Sequence, residues 1–169
     1  NSVDPSHLYW LHGASAHLGK LPQYDEKHDF ITFEFGIMKR RTYKNGMVDE
    51  HPLIFPNILR QGNVGQIRVP IDDTHTKVYF VRFFPSENGE IIEDDEPPVE
   101  YIAPYKNPPD ALHPYTKFRM DCVQAQDHMA WETQGPIAVR TRQRVTTSDR
   151  GIIMLREVMF REMKKLRAG

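Results

Sequence analysis

Ile31-Thr32-Phe33-Glu34-Phe35-Gly36-Ile37 alternates apolar residues with polar or small ones, the period-two pattern of a half-buried strand. On that reading Ile31, Phe33, Phe35 and Ile37 share one face. Asn45-Gly46 follows, the strongest short hairpin signal, and leads into a return strand through Leu53, Ile54 and Phe55. Gln66 to Ile71, a turn at Asp72-Asp73 and the β-rich run His75 to Phe84 read as a second hairpin. An antiparallel sheet of at least four strands is therefore expected. Phe30, Phe33, Phe35, Phe55, Phe80, Phe83 and Phe84 are expected to give it an aromatic inner surface.

Helical patterns flank this centre. Asp4-Pro5 opens a short one running through Leu8, Trp10 and Leu11, with Asp as a favoured N-cap. Val123 to Trp131 forms another, stopped before Gly135-Pro136. A third is capped at Ser148, and its apolar residues Ile152, Leu155, Met159, Met163 and Leu166 step by three and four. Residues 85–115 are rich in Pro, Glu and Asp, without periodicity. The expected class is α+β, an antiparallel sheet closed by a long C-terminal helix.

The chain has 169 residues, enough for one domain that buries roughly 70% of its unfolded surface. With 22 Lys+Arg against 23 Asp+Glu, no net charge draws it to nucleic acid or to an anionic membrane. Cys122 is the single cysteine, which excludes an internal disulfide and a cysteine-held cluster within the chain. No apolar run approaches the ~20 residues of a membrane span, and no signal pattern opens the chain. A cytoplasmic location is expected. The start at Asn1, without methionine, is read as that of a piece of a longer protein.

Two segments carry candidate chemistry. Asp4-Pro5-Ser6-His7-Leu8-Tyr9-Trp10-Leu11-His12 is a D-x-x-H-x-x-x-x-H pattern. Two imidazoles and a carboxylate make the open facial site of non-haem iron oxygenases. Residues five apart on a regular α-helix diverge by about 140°, so both rings reach one metal only if the helix is distorted, for instance by a π-type turn. The bland reading is an N-capped helix with two unrelated histidines, and His17 repeats the spacing after His12. The second segment is Gln124-Ala125-Gln126-Asp127-His128-Met129-Ala130-Trp131-Glu132. Asp127 is a possible third ligand, or a residue that faces water or an arginine. His128 points about 100° away around a helix and is the poorer ligand.

Together and in this order, the segments resemble the catalytic domain of Rieske-type non-haem iron oxygenases, of the phthalate dioxygenase and aromatic O-demethylase type. The family's N-x-x-D-x-x-H-x4-H segment is matched by Asn1, Asp4, His7 and His12, and its C-terminal carboxylate by Asp127 ahead of Gly135-Pro136-Ile137. Arg140-Thr141-Arg142 through Thr147-Ser148-Asp149 resembles the approach to its last helix. His51 to Asn57 and Val69 to Thr76 are similar to members acting on lignin-derived methoxylated aromatics.

The resemblance implies a helix-grip-like oxygenase catalytic domain over residues 1–169, with Fe(II) held by His7, His12 and Asp127. It implies hydroxylation or O-demethylation of an aromatic substrate with O2, in a homotrimer. Asp4 is implied as catalytic, bridging an iron ligand to a cluster-bound histidine of a neighbouring subunit. Electrons are implied to come from NAD(P)H through a reductase or ferredoxin and a [2Fe–2S] centre. Such a centre needs two cysteines and two histidines in C-x-H and C-x-x-H, so this chain departs from the full pattern: the Rieske domain is absent from it. Arg60 or Arg68 is a candidate clamp for a substrate carboxylate. Two other classes fit the same residues, a non-catalytic binder of an apolar ligand and a zinc hydrolase using the same three ligands.

Overall fold

The computed structural model describes residues 3–12, 25–90, 96–108 and 117–169. A short helix α1 (Ser6–Trp10) precedes six strands: β1 (Asp25–Phe33), β2 (Gly36–Tyr43), β3 (Val48–Ile54), β4 (Ile58–Gln61), β5 (Val64–Pro70) and β6 (Thr76–Arg82). They form one antiparallel sheet in sequence order. Helices α2 (Val123–Glu132) and α3 (Arg150–Ala168) follow, so the class is α+β. None of the described helices is long and apolar enough to cross a membrane.

The stretch from Ile31 to Ile37 is not one strand. It holds a tight hairpin, with Phe33 paired to Gly36 across a turn at Glu34-Phe35. Gly36 is needed there because a Cβ would run into the backbone carbonyl of Leu53 on β3. The turn reverses the phase of the alternation. Phe30 opposes Lys39 and Thr32 opposes Ile37, so the inward set on β1 is the even-numbered one. Ile37 is 1% exposed, whereas Ile31, Phe33 and Phe35 face outward.

The expected aromatic inner surface shrinks accordingly. Phe30 is buried and Phe55 packs on the core, but Phe33, Phe35, Phe80, Phe83 and Phe84 are exposed. Asn45-Gly46 does form its hairpin, with the Gly46 N–H donating to the Tyr43 carbonyl.

The core gathers Val3, Phe30, Ile37, Leu53 and Val158, joined by Phe55, Ile152, Met154 and Leu155. Apolar burial of this kind contributes about 25 cal/mol per Å2. Helix α3 meets the sheet through its first half. Gly151 sits so close to Phe30 and to the Val3 carbonyl that no side chain fits. Its later apolar residues Met159, Phe160, Met163 and Leu166 are exposed, so the expected stripe is buried over only part of its length. The helix is preceded by a capping box, in which Thr146 and Asp149 exchange side-chain and backbone bonds across the 3-10 turn Thr147–Asp149.

In the Pro- and acid-rich zone, Lys106 bridges to Phe118 just ahead of α2. That bridge and the Lys106–Glu132 ion pair at 2.9 Å tie the zone to the helix that carries Asp127.

Candidate metal centre

Asp4 stands just before α1, where the first helical N–H groups lack partners. Its Oδ1 accepts the N–H of Ser6 at 2.9 Å and that of His7 at 3.4 Å. The backbone carbonyl of Asp4 lies 2.5 Å from His7 Nδ1. A carbonyl can only accept, so Nδ1 carries the proton and Nε2 is bare. Burial brings the His7 pKa down to about 4, so the ring is neutral near pH 7. The ring proton thus meets the Asp4 carbonyl and not its carboxylate, which is engaged by the helix N–H groups.

The five-residue spacing is resolved without a π-turn. Helix α1 stops at Trp10, the Leu11 N–H closes on the His7 carbonyl at 2.7 Å, and His12 lies beyond the helix. Leaving the helix frees His12 from the 140° divergence and turns its ring back. The two rings meet edge to face, 5.2 Å between centroids at 82°. His12 is 2% exposed.

Helix α2 supplies the third group and a support. His12 Nδ1 lies 2.7 Å from Gln126 Oε1, and Gln126 Nε2 donates to the Met120 carbonyl at 2.9 Å. With the amide so oriented, Nδ1 of His12 is the donor. His12 Nε2 faces Asp127 Oδ1 at 3.1 Å, and that buried oxygen has no hydrogen-bond partner.

One ligand atom from each of His7, His12 and Asp127 lies within 4.8 Å of the others. Two imidazoles and an unsatisfied carboxylate oxygen converge there. Buried acceptors without a partner are costly, and a divalent cation resolves the conflict. The donor set fits non-haem iron or zinc.

Register explains what surrounds this point. Leu53 opposes Leu59, Leu59 opposes Gln66, and Gln66 and Arg68 share a face two residues apart. Arg68 is therefore on the core side of the sheet. Its Nη2 donates to Gln66 Oε1 at 2.7 Å, and its guanidinium stands 5.7 Å from the centre of the Trp131 ring. Burial lowers its pKa, and the charge of Asp127 partly opposes that. Arg60, the other candidate clamp, stacks 4.1 Å over Phe83 and donates to the Gly62 carbonyl. His128 packs between Tyr105 and Trp131, at 5.1 Å from each, and is outside the metal cluster. His17 lies outside the described residues. Gln126 was legible only as a neighbour of Asp127, since nothing in its spacing marks it as a partner of His12.

Comparison with known proteins finds a family match and two similar proteins. Residues 114–169, which include Asp127 and α3, match the family described as LigXa C-terminal domain like. The chain is 32% identical to the 5,5'-dehydrodivanillate O-demethylase oxygenase subunit of Sphingobium sp. (strain NBRC 103272 / SYK-6), over 100% of the chain and 41% of that protein. It is 30% identical to the phthalate 4,5-dioxygenase oxygenase subunit of Pseudomonas putida, over 69% of the chain and 30% of that protein. The chain thus spans less than half the length of either relative.

Proposed function

We propose, for a chain that belongs to the Rieske-type non-haem iron aromatic oxygenases as part of their catalytic domain, that it serves O2-dependent hydroxylation or O-demethylation of an aromatic substrate. The observation that carries the proposal is the meeting of one ligand atom from each of His7, His12 and Asp127 within 4.8 Å. Those residues would hold Fe(II), which when bound supplies O2 activation. The chain's own residues do the rest. The Asp4 carbonyl takes the Nδ1 proton of His7 and so leaves Nε2 of that ring as the atom free to bind.

Arg68, which feels the charge of Asp127, stands beside Trp131 on the core side of the sheet. The guanidinium would grip a substrate carboxylate, and the indole would stack on its ring. Both relatives are named for aromatic acids, which fits a clamp of that kind. Electrons would come from NAD(P)H through a reductase or ferredoxin and a [2Fe–2S] centre outside this chain, in a homotrimer with Asp4 at the junction between subunits. A fuller closing of the sheet by α3, in the helix-grip manner, belongs to the same proposal.

The test is metal analysis of anaerobically purified protein, followed by product mass spectrometry of the full-length oxygenase, supplied with NAD(P)H and a reductase, on methoxybenzoates, biaryl acids and phthalates. About one iron per chain and an oxygenated or demethylated product are expected. Retained zinc with O2-independent ester hydrolysis would replace this reading with the hydrolase. No metal at all would leave a binding domain.

A further inference from the structure

A histidine can present either ring nitrogen, and in this site only one of them is useful. We propose that Gln126 is a positioning residue that holds the ring proton of His12 on Nδ1 and so keeps Nε2 open as a ligand atom. The inference rests on the metal-site reading above and names a residue which that reading does not require.

The argument begins with a competition for one proton. Asp127 Oδ1 is 3.1 Å from His12 Nε2, and a carboxylate is a stronger acceptor than an amide. A proton placed on Nε2 would be drawn toward it and would cap the atom that has to bind metal. Gln126 works against that arrangement. If Nε2 carried the proton, Nδ1 would set its lone pair against Gln126 Oε1 at 2.7 Å, in a place where neither reaches water. Gln126 is 3% exposed and His12 is 2% exposed, so nothing screens that repulsion.

The amide has no easy escape by turning over. Its Nε2 donates to the Met120 carbonyl at 2.9 Å, and a flipped amide would set Oε1 against that carbonyl. The chain ahead of α2 therefore sets the amide, the amide sets the tautomer, and the tautomer sets which nitrogen faces Asp127 and His7. For His7 the same task is done by the Asp4 backbone carbonyl, which no substitution removes.

The experiment titrates Co(II) into the protein, follows the visible d–d absorption, and compares Gln126→Leu, Gln126→Glu and His12→Ala. Glutamate keeps an acceptor for Nδ1 but loses the donor to Met120, whereas leucine loses both. Gln126→Leu should weaken Co(II) binding by about 10–100-fold, the usual cost of losing an outer partner of a ligand histidine, with an unchanged circular dichroism spectrum. Gln126→Glu should stay near the parent. Nitrogen-15 spectra of histidine-labelled, metal-free protein supply a second readout: His12 should be Nδ1-protonated in the parent and shift toward the Nε2-protonated form in Gln126→Leu.

Parent-like cobalt affinity in Gln126→Leu would overturn the inference. So would equal losses in the leucine and glutamate variants, since the bond to Met120 would then be what matters. A parent that binds no Co(II) would sink the metal-site reading itself, and the nitrogen-15 comparison would still decide the role of Gln126.

Discussion

Two buried histidines in this chain each face an aspartate at the same distance, and they have opposite surroundings. His51 Nε2 is 3.1 Å from Asp49 Oδ1, and His12 Nε2 is 3.1 Å from Asp127 Oδ1. On β2 and β3 the pair is embedded in partners. Asp49 lies directly across from Arg41, pairs with its guanidinium, and also accepts from the Tyr43 hydroxyl at 3.3 Å. Burial alone would raise the Asp49 pKa, but Arg41, His51 and Tyr43 more than reverse that and bring it below its ordinary value. At the other pair, Asp127 Oδ1 has no hydrogen-bond partner and a second imidazole stands beside it. A His–Asp pair is thus neutral as to function. What separates a structural pair from a candidate ligand set is whether the acceptors are already satisfied.

The largest expected effect sharpens that distinction. His7→Ala, His12→Ala and Asp127→Ala should each weaken metal binding by more than about 100-fold, beyond the cost of losing an outer partner. His51→Ala, equally close to its aspartate, should retain metal in full. Metal analysis after dialysis reads both, and metal loss in His51→Ala would erase the contrast.

Stability in the metal-free state should run the other way. Asp49→Ala strands the Arg41 guanidinium, whose side chain is 14% exposed, and should cost about 1–2 kcal/mol after allowance for solvent screening. Asp127→Ala removes a buried acceptor that has no partner, and should leave the melting temperature unchanged or raise it. Thermal melts in chelator are the measurement. A large loss in Asp127→Ala would mean that the carboxylate is already satisfied without an ion.

A smaller effect depends on pH. Burial first, and then the Lys39 charge, lower the His51 pKa to about 4 against an ordinary 6.5. The unfolded chain therefore binds the extra proton more readily, and stability falls as pH drops from about 6.5 toward 4, by about 1–3 kcal/mol. His51→Asn should shrink that slope without abolishing it in metal-free protein, because His7 shifts in the same direction. An unchanged slope would show that His51 is already charged in the folded state.

The smallest change in stability is expected at Asp4. Asn caps helices about as well as Asp, so Asp4→Asn should shift stability by less than about 0.5 kcal/mol and keep the metal. If the carboxylate links subunits in electron transfer, reductase-driven turnover of the full-length oxygenase should nevertheless collapse, while its turnover with hydrogen peroxide largely survives. Equal losses in both reactions would confine Asp4 to the helix start.

The parts that could be read ahead of the structure were those with a local physical signature. Asn45-Gly46, the β5–β6 turn held by Asp72 and the span of α2 all follow from turn and helix chemistry within a few residues. Strand β4 was missed because four residues are too few to show a period. The faces of β1 and β2 were misassigned because a tight turn at Glu34-Phe35 looks, in one dimension, like uninterrupted alternation. At the site, the residue types and their order were legible. Their convergence was not, since it depends on where α1 stops and on how the Gln126 amide is turned. Arg68 belongs to the same class of information: its place beside Trp131 follows from cross-strand register, which no single segment contains.

The hydrogen bond from His12 to Gln126 joins residues 114 apart in sequence, with all six strands in between. Any tie at that point, hydrogen bond or metal ion, closes a loop through the whole sheet, an entropic cost that the folded sheet has already met. An ion bound there would stabilise the folded chain in proportion to the logarithm of its free concentration. Resistance to heat and to proteases would then become a measure of how much metal the surroundings hold.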